Sequence, residues 1–496
     1  MDKLTILQEL SIGSRVAEDE RDNLDKYFIE TNEYKRILKD EIDIIYGAKG
    51  TGKSALYLSI LKRKKELNNN GIIVIQAENI QGTSAFNSVV EDPPTSENEF
   101  RNIWKLYFLV LLYENFVSCL TFNRSRNQIR QILQDSKLLM KNKSLIESFA
   151  DVYRYIKNNP FHSMEAGINV DPNTGNPIGF TGKITFSDTG MDVNKEGYFN
   201  IDTLLKLVDN LLSRKKKCAW LMLDRLDSVF EKNDILEENA IRGLFKVYLD
   251  MRKYQNIREK IFLRTDIWDK ITKKGFREAS HIIRTINIAW TEQSILNLII
   301  KRFVENEIIV KEFVLNKDKV VLDYQNQEIL FYRIFPNQVE YGKKKPVAMK
   351  WILTRTSDAN GIIAPREIIH LITEVIDLQI SNFKMGKDGT ENDNLFDRSL
   401  FKSALEKVSK TKIEQTLFAE YSDMKEYIKK FAEQRATNSI DSISKLLGKD
   451  KKYVVEIVNR LQEIGFLSKR KVDDRLLYDI PFLYRPYLKS VQGTSE

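Results

Sequence analysis

The run Gly47-Ala48-Lys49-Gly50-Thr51-Gly52-Lys53-Ser54 has the G-x-x-x-x-G-K-[ST] spacing of a phosphate cradle. Its glycines permit the tight curl that turns successive backbone N–H groups inward, towards phosphate oxygens. A helix starting where the loop ends adds the partial positive charge of its first turn. Lys53 would reach the β- and γ-phosphates of a bound nucleotide, and the Ser54 hydroxyl would hold Mg²⁺. The flanks agree with this reading. Ile42, Ile44, Ile45 and Tyr46 form a buried-strand run, while Ala55, Leu56, Leu58, Ile60 and Leu61 open a helix.

A Mg²⁺ site needs a second anchor. AWLMLDRLD, residues 219 to 227, is a hydrophobic strand ending in Asp224, the arrangement that holds the metal in nucleotide-hydrolysing proteins. Many motor ATPases place a glutamate just after this aspartate to polarise the attacking water; this chain has Arg225 there. Asp227 is the nearest carboxylate able to serve as base or water-orienter, so slow hydrolysis is expected.

The elements that must position these residues follow from periodicity. After the first strand at 42–46, GIIVIQAEN (71–79), AWLML (219–223), KIFLRTD (260–266) and IIRTINI (282–288) read as four more strands, separated by helical segments. That alternation predicts an α/β fold with a parallel sheet covered on both faces. The long gap between the second and third strands holds helical runs from Phe100 to about Asn158. GINVDPNTGNPIGFTGKITF (167–186) follows, alternating around a turn like a β-hairpin, and the whole (about 120–200) is expected to be an insertion. The hairpin either meets a partner or packs on the core.

Residues 289–422 read as a helical lid, with helical spacing in 290–308 and 366–380 and a polar loop at 385–394. The remainder, 423–496, has the order helix, turn, helix, hairpin. Ile440, Ile443, Leu446 and Leu447 are expected to face inward on the first helix, closed by Gly448. Val454, Val455, Ile457, Val458, Leu461 and Ile464 should do so on the second. This is a winged-helix pattern, in which Lys451, Lys452, Asn459 and Arg460 would meet bases or backbone of duplex DNA. Lys469, Arg470, Lys471 and Arg475 would carry the wing onto phosphates. Winged helices also dock proteins, so a separate effector protein is the alternative partner.

Composition fits this frame. The 496 residues carry 42% apolar side chains and a net charge of +8, which permits nucleic-acid contact without demanding it. Two cysteines and three histidines without ligand spacing argue against a structural zinc site. The first residues lack a secretory pattern, and the longest apolar stretch, from Ile103, is broken by Lys105, Glu114 and Asn115. A buried helix, no membrane contact and a cytoplasmic setting are expected.

Taken together, GAKGTGKS, LMLDRLD, FLRTD, the helical lid and the terminal winged helix resemble AAA+/STAND-type ATPases, in particular their origin-recognition and nucleotide-switch branches. YFIETNEYKRIL, GAKGTGKSAL, LMLDRLD, IFLRTDIWD, APREIIHLI and YDIPFLYRPYLKSVQG look like a family of bacterial P-loop ATPases called FunZ-like, often found among phage-defence genes. The resemblance implies ATP rather than GTP and a homo-oligomer or hetero-complex, while Arg225 in place of the usual acid leads one to expect stimulation by a partner, DNA or oligomerisation. It implies that Arg264 senses the γ-phosphate, with a salt bridge to Asp266 or Asp224 as the plainer alternative. It also implies that Arg366 reaches the nucleotide from the lid.

Overall fold

The computed structural model describes residues 1–77, 96–139, 144–158, 183–186, 198–224, 234–273 and 275–494. They fall into two compact units, one of residues 33–46 and 56–287, the other of residues 1–32, 47–55 and 288–496.

In the first unit the strands are β1 (Ile44–Gly47), β2 (Ile72–Gln76), β3 (Lys183–Thr185), β4 (Tyr198–Asn200), β5 (Cys218–Leu223), β6 (Ile257–Arg264) and β7 (Thr285–Asn287). Five of them form one sheet in the order β2-β5-β6-β1-β7, and the β2–β5, β5–β6 and β1–β7 pairs are parallel. All five expected strands are therefore present. From β1 the chain goes first to the far edge, works back through β5 and β6, then passes β1 to add β7. The order thus reverses at β1, and in open α/β sheets ligands bind beyond the carboxyl ends of the strands at such a reversal. Gly47, the first residue of the cradle, is the last residue of β1. The fold is that of a P-loop NTPase.

Strand β5 is buried from Ala219 to Leu223, the continuous apolar run of a parallel strand covered on both faces. The helix Glu97–Asn115 packs on β2 and shares the apolar cluster of β5. It is started by a reciprocal cap in which Ser96 Oγ accepts from the Glu99 amide and Glu99 Oε2 accepts from the Ser96 amide, both at 3.2 Å. The broken apolar stretch seen in the sequence is this buried helix. Trp104 Nε1 donates to the Ala240 carbonyl at 3.0 Å, tying it to the helix Asp234–Met251. Among the described residues, no helix is long and apolar enough to cross a membrane. Most of the expected hairpin at 167–186 lies outside the described residues. Its last strand, β3, pairs in parallel with β4.

Beside the amino ends of β1 and β6 sits a buried charge cluster. Lys260 is fully buried, and its ammonium donates to Asp40 Oδ1 (2.6 Å), the Ile42 carbonyl (2.6 Å) and Asp43 Oδ1 (3.0 Å). Three protons meet three acceptors, which satisfies a lysine.

The second unit is mainly helical. Its apolar cluster takes in Ile6 and Leu7 near the amino terminus and Ile295, Ile299 and Phe303 of the helix Glu292–Val304. It continues through Ile368 and Ile372 of the helix Pro365–Lys384 to Ile443, Val454 and Leu461. The lid helices and the C-terminal segment thus share one core. In that segment, the helix Ile440–Leu447 ends at Gly448 in the left-handed conformation (φ +66°). The helix Lys451–Glu463 starts on Asp450, whose Oδ1 accepts from the Lys452 amide at 2.9 Å. The sheet order is β11-β8-β10-β9, from β8 (Arg435–Ser439), β9 (Ser468–Val472), β10 (Arg475–Asp479) and β11 (Val491–Thr494). Asp473 and Asp474, both at positive φ, form the two-residue turn between β9 and β10, which suits the twist of a hairpin. The expected helix–helix–hairpin order is present. One residue departs from its expected place: Val455 is 42% exposed, while Val454, Ile457, Val458, Leu461 and Ile464 are buried.

Candidate functional site

The cradle is held by its own atoms and by residues of the helical region expected to be a lid. Gly50 and Gly52 take φ values of +84° and +96°, a region costly to residues with a Cβ. Thr51 Oγ1 donates to the Ala48 carbonyl at 2.8 Å, and Trp290 Nε1 donates to the Thr51 carbonyl at 2.8 Å. Lys53 Nζ donates to the carbonyls of Gly47 (2.8 Å) and Ala48 (3.0 Å), so its charge lies over the inside of the loop it is meant to serve. Ser54 follows in the first turn of the helix Lys53–Lys62.

Lid residues line the other side. The helix Pro365–Lys384 begins with proline at its first position, where a missing N–H costs nothing. That start brings Ala364, Arg366 and Glu367 against the loop. A Cβ added at Gly50 would stand 3.1 Å from Arg366 Cβ, 3.3 Å from Glu367 Oε2 and 3.4 Å from Ala364 Cβ. Arg366 thus stands beside Gly50 of the loop. Glu367 is 5% exposed; its Oε1 accepts from Lys412 Nζ at 2.7 Å. Its Oε2 and the Arg366 Nε are buried with no hydrogen-bond partner among the described residues. Lys49 forms an ion pair with Glu420.

Next to this wall is a cavity of about 140 Å³ lined by Arg15, Arg366, Glu367, His370, Thr411 and Lys412, among others. Three permanent cations face one carboxylate there, a charge balance suited to a phosphorylated ligand. Arg15 Nη1 lies 3.2 Å from His370 Nδ1, and Glu374 Oε1 lies 3.3 Å from His370 Nε2. Burial, and then the Arg15 cation, hold His370 below the usual histidine range, so the imidazole is neutral near pH 7.

Within the sheet unit, Asp224 directly follows β5 and is 3% exposed, and Arg264 ends the neighbouring strand β6. Both stand at the carboxyl edge of the sheet. Arg264 forms a bidentate pair with Asp266 (Nε to Oδ1 3.0 Å, Nη2 to Oδ2 2.6 Å), the plainer of the expected arrangements. Asp227 and Arg225 lie outside the described residues. Among the described residues, no group of three or more His, Cys, Asp or Glu could by itself hold a metal ion.

The cations expected to meet DNA lie on the helix Lys451–Glu463 and the β9–β10 hairpin, and four of them are paired to carboxylates of the same segment. Lys451 meets Asp441 at 2.6 Å, Arg460 meets Glu463 at 3.1 Å, Lys471 meets Asp474 at 2.5 Å, and Arg470 pairs with Asp479. Exposed pairs of this kind are worth about 0.2–1 kcal/mol.

Sequence reasoning missed Arg15, Trp290, Glu367, Lys412 and Glu420. Glu367 stands in APREIIHLI, where only Arg366 drew notice; the other four belong to no local motif, and each meets the cradle or its cavity from a distant stretch of chain.

No family model matches the chain. It is 24% identical over 293 residues to the 80.3 kDa protein of transposon gamma-delta from Escherichia coli (strain K12), a match covering 58% of this chain and 39% of that protein. The chain therefore spans about two fifths of the length of that curated relative. Among solved structures, it is similar to the ORC2 protein of Aeropyrum pernix in its ADPNP–ADP complexes, with 12% identity, TM-score 0.37, and coverage of 92% of this chain and 93% of that one. It is also similar to the Walker-type ATPase paby2304 of Pyrococcus abyssi, with 10% identity, TM-score 0.39, and coverage of 93% and 96%. A third is the ORC1 protein of Aeropyrum pernix in complex with DNA, with 10% identity, TM-score 0.33, and coverage of 93% and 92%.

Proposed function

We propose that this chain is an ATP-binding, ATP-hydrolysing protein whose nucleotide state regulates an action on duplex DNA. The cradle carries this reading. Gly50 and Gly52 take left-handed φ values in it, Lys53 donates to its Gly47 and Ala48 carbonyls, and Arg366 stands beside Gly50. The unpaired Arg366 Nε and the cationic cavity fit phosphate groups. Ala48, Lys49 and Thr51 would supply backbone N–H groups, with Ser54 and Asp224 assigned from the sequence to Mg²⁺, which neutralises charge developing on the phosphates. Arg264 is assigned to γ-phosphate sensing and Asp227 to orienting water, with slow turnover expected from Arg225. The likeness to FunZ-like ATPases extends the reading to anti-phage defence, and oligomerisation rests on the same likeness.

Isothermal titration with Mg²⁺–ATP tests the core of this reading. Wild type should bind, and Lys53→Ala should not, since the phosphates lose their cation inside the loop. Equal affinity in the two proteins would remove the nucleotide assignment.

A second reading is a switch that oligomerises or recruits a separate effector protein without touching DNA. The internal pairing of Lys451, Arg460, Arg470 and Lys471 favours it, as does the core the C-terminal segment shares with the lid. ATP-dependent assembly in the absence of DNA would select this reading.

A further inference from the structure

One charge of the cradle does not face inward. Lys49 is held by Glu420, the last residue of the short helix Phe418–Glu420, and the side chains are 35% and 14% exposed. Glu420 reaches this position through an irregularity. The helix Leu400–Lys412 runs into a π-helical turn, Ile413–Leu417, before Phe418. In an uninterrupted α-helix the eight residues from Lys412 to Glu420 would overrun two turns by about 80°. The wider π-turn takes back much of that rotation, a device that recurs at functional sites. The same helical stretch therefore delivers Lys412 to Glu367, beside Gly50, and Glu420 to Lys49. The next residue, Tyr421, carries the Arg460 guanidinium 5.5 Å over its ring centre, and Arg460 belongs to the helix Lys451–Glu463.

We propose that Glu420 is a positioning residue of the cradle: it competes with nucleotide phosphates for Lys49, and its release is passed through Tyr421 to the helix bearing Arg460. The inference rests on reading Gly47 to Ser54 as a nucleotide cradle. Lys49 brings one positive charge, and a carboxylate and a phosphate gathered on it repel each other, so capture by one weakens the other. A ligand that binds the released state better shifts the population towards it, and only by that difference in affinity.

The test is a double-mutant cycle on full-length protein, read as affinity for Mg²⁺–ATP and for ADP by calorimetry. Glu420→Gln should tighten ATP binding by about fivefold, the scale of a partly exposed ion pair. In a Lys49→Met background the same change should do nothing beyond about twofold, because the competition has been removed. Equal tightening in both backgrounds would mean that Glu420 merely repels phosphate at a distance, and would overturn the proposal. Hydrogen exchange gives a readout without nucleotide. Residues 451–463 of nucleotide-free Glu420→Gln should exchange as the wild-type protein does with a non-hydrolysable ATP analogue. Exchange matching nucleotide-free wild type would overturn the route through Tyr421. Wild type that binds no nucleotide would instead refute the cradle reading itself, which separates the two failures.

Discussion

Gly50→Ala isolates the geometry of the cradle from its charge. At φ +84° an added Cβ costs about 1–2 kcal/mol, whatever surrounds it. Here it would also stand 3.1 Å from Arg366 Cβ and 3.3 Å from Glu367 Oε2. The first of these is anchored to the lid backbone and cannot swing aside, so the loop or the lid helix must give. A combined penalty of about 2 kcal/mol on the binding-competent curl corresponds to roughly 30-fold weaker nucleotide binding. Gly361→Ala is the matched control: Gly361 also has positive φ (+70°), but nothing lies within 4 Å of its Cβ position, and it is not in the loop. Both variants should lose a little thermal stability, and only Gly50→Ala should lose affinity for Mg²⁺–ATP in calorimetry. Binding within twofold of wild type in Gly50→Ala would refute the claim that this curl, walled by the lid, is the phosphate site.

Lys260→Met should lower stability by about 3–5 kcal/mol, because Asp40 and Asp43 are left without the buried ammonium between them; an unchanged thermal midpoint would refute that role. Burial, and then the charge of Asp43, push the Glu259 carboxyl well above its usual range, so the folded chain keeps a proton that the unfolded chain releases above about pH 4.3. Stability at this site therefore falls as pH rises from there. Glu259→Gln should be more stable than wild type at pH 8 and less so at pH 5, and a thermal-melt series showing no such trend would refute it. If the DNA reading holds, replacing Lys451, Lys452, Arg460, Lys469, Arg470 and Lys471 with glutamine should weaken duplex binding across sequences. The salt slope should fall by about 0.9 for each phosphate that is no longer neutralised, and an unchanged slope would move the DNA-binding face elsewhere.

What the sequence makes legible is what is local. The cradle is a contiguous run, so its glycines, Lys53 and Ser54 declare themselves, and five apolar runs separated by helical spacing give five parallel strands. The order of those strands is not local: periodicity says that β7 is a strand and nothing about its lying next to β1. The exposure of Val455 has a traceable reason. On a helix, Val454, Ile457, Val458 and Leu461 share a stripe at steps of three and four, and Val455 stands about 100° off its neighbour Val454. The adjacent Ile457 and Val458 mark the two edges of that stripe, about 100° apart, and Val455 falls about 60° beyond the edge at Val458. Arg15, Lys412 and Glu420 are invisible in the sequence because their meaning comes from packing against partners 45 to 371 residues away.

Two places where charge is buried in this chain can be told apart by how well it is satisfied. Lys260 has three acceptors for three protons, sits by the amino ends of the strands, and makes no demand on a ligand. Burial pushes the carboxyl of Glu259, its neighbour on β6, well above its usual range. Beside the cradle the balance is different. Glu367 spends one oxygen on Lys412 while the other lies buried and unpaired next to Gly50, and the Arg366 Nε is unpaired as well. Each such group costs about 1–3 kcal/mol if nothing else is gained. Native chains accept that cost where a ligand supplies the missing partner. The unpaired guanidinium N–H asks for an acceptor such as phosphate, and the unpaired carboxylate oxygen asks for a donor. A nucleotide carries both, acceptors on its phosphates and donors on its ribose and base, so these two orphaned atoms and the curl of Gly50 point to one occupant of the same wall.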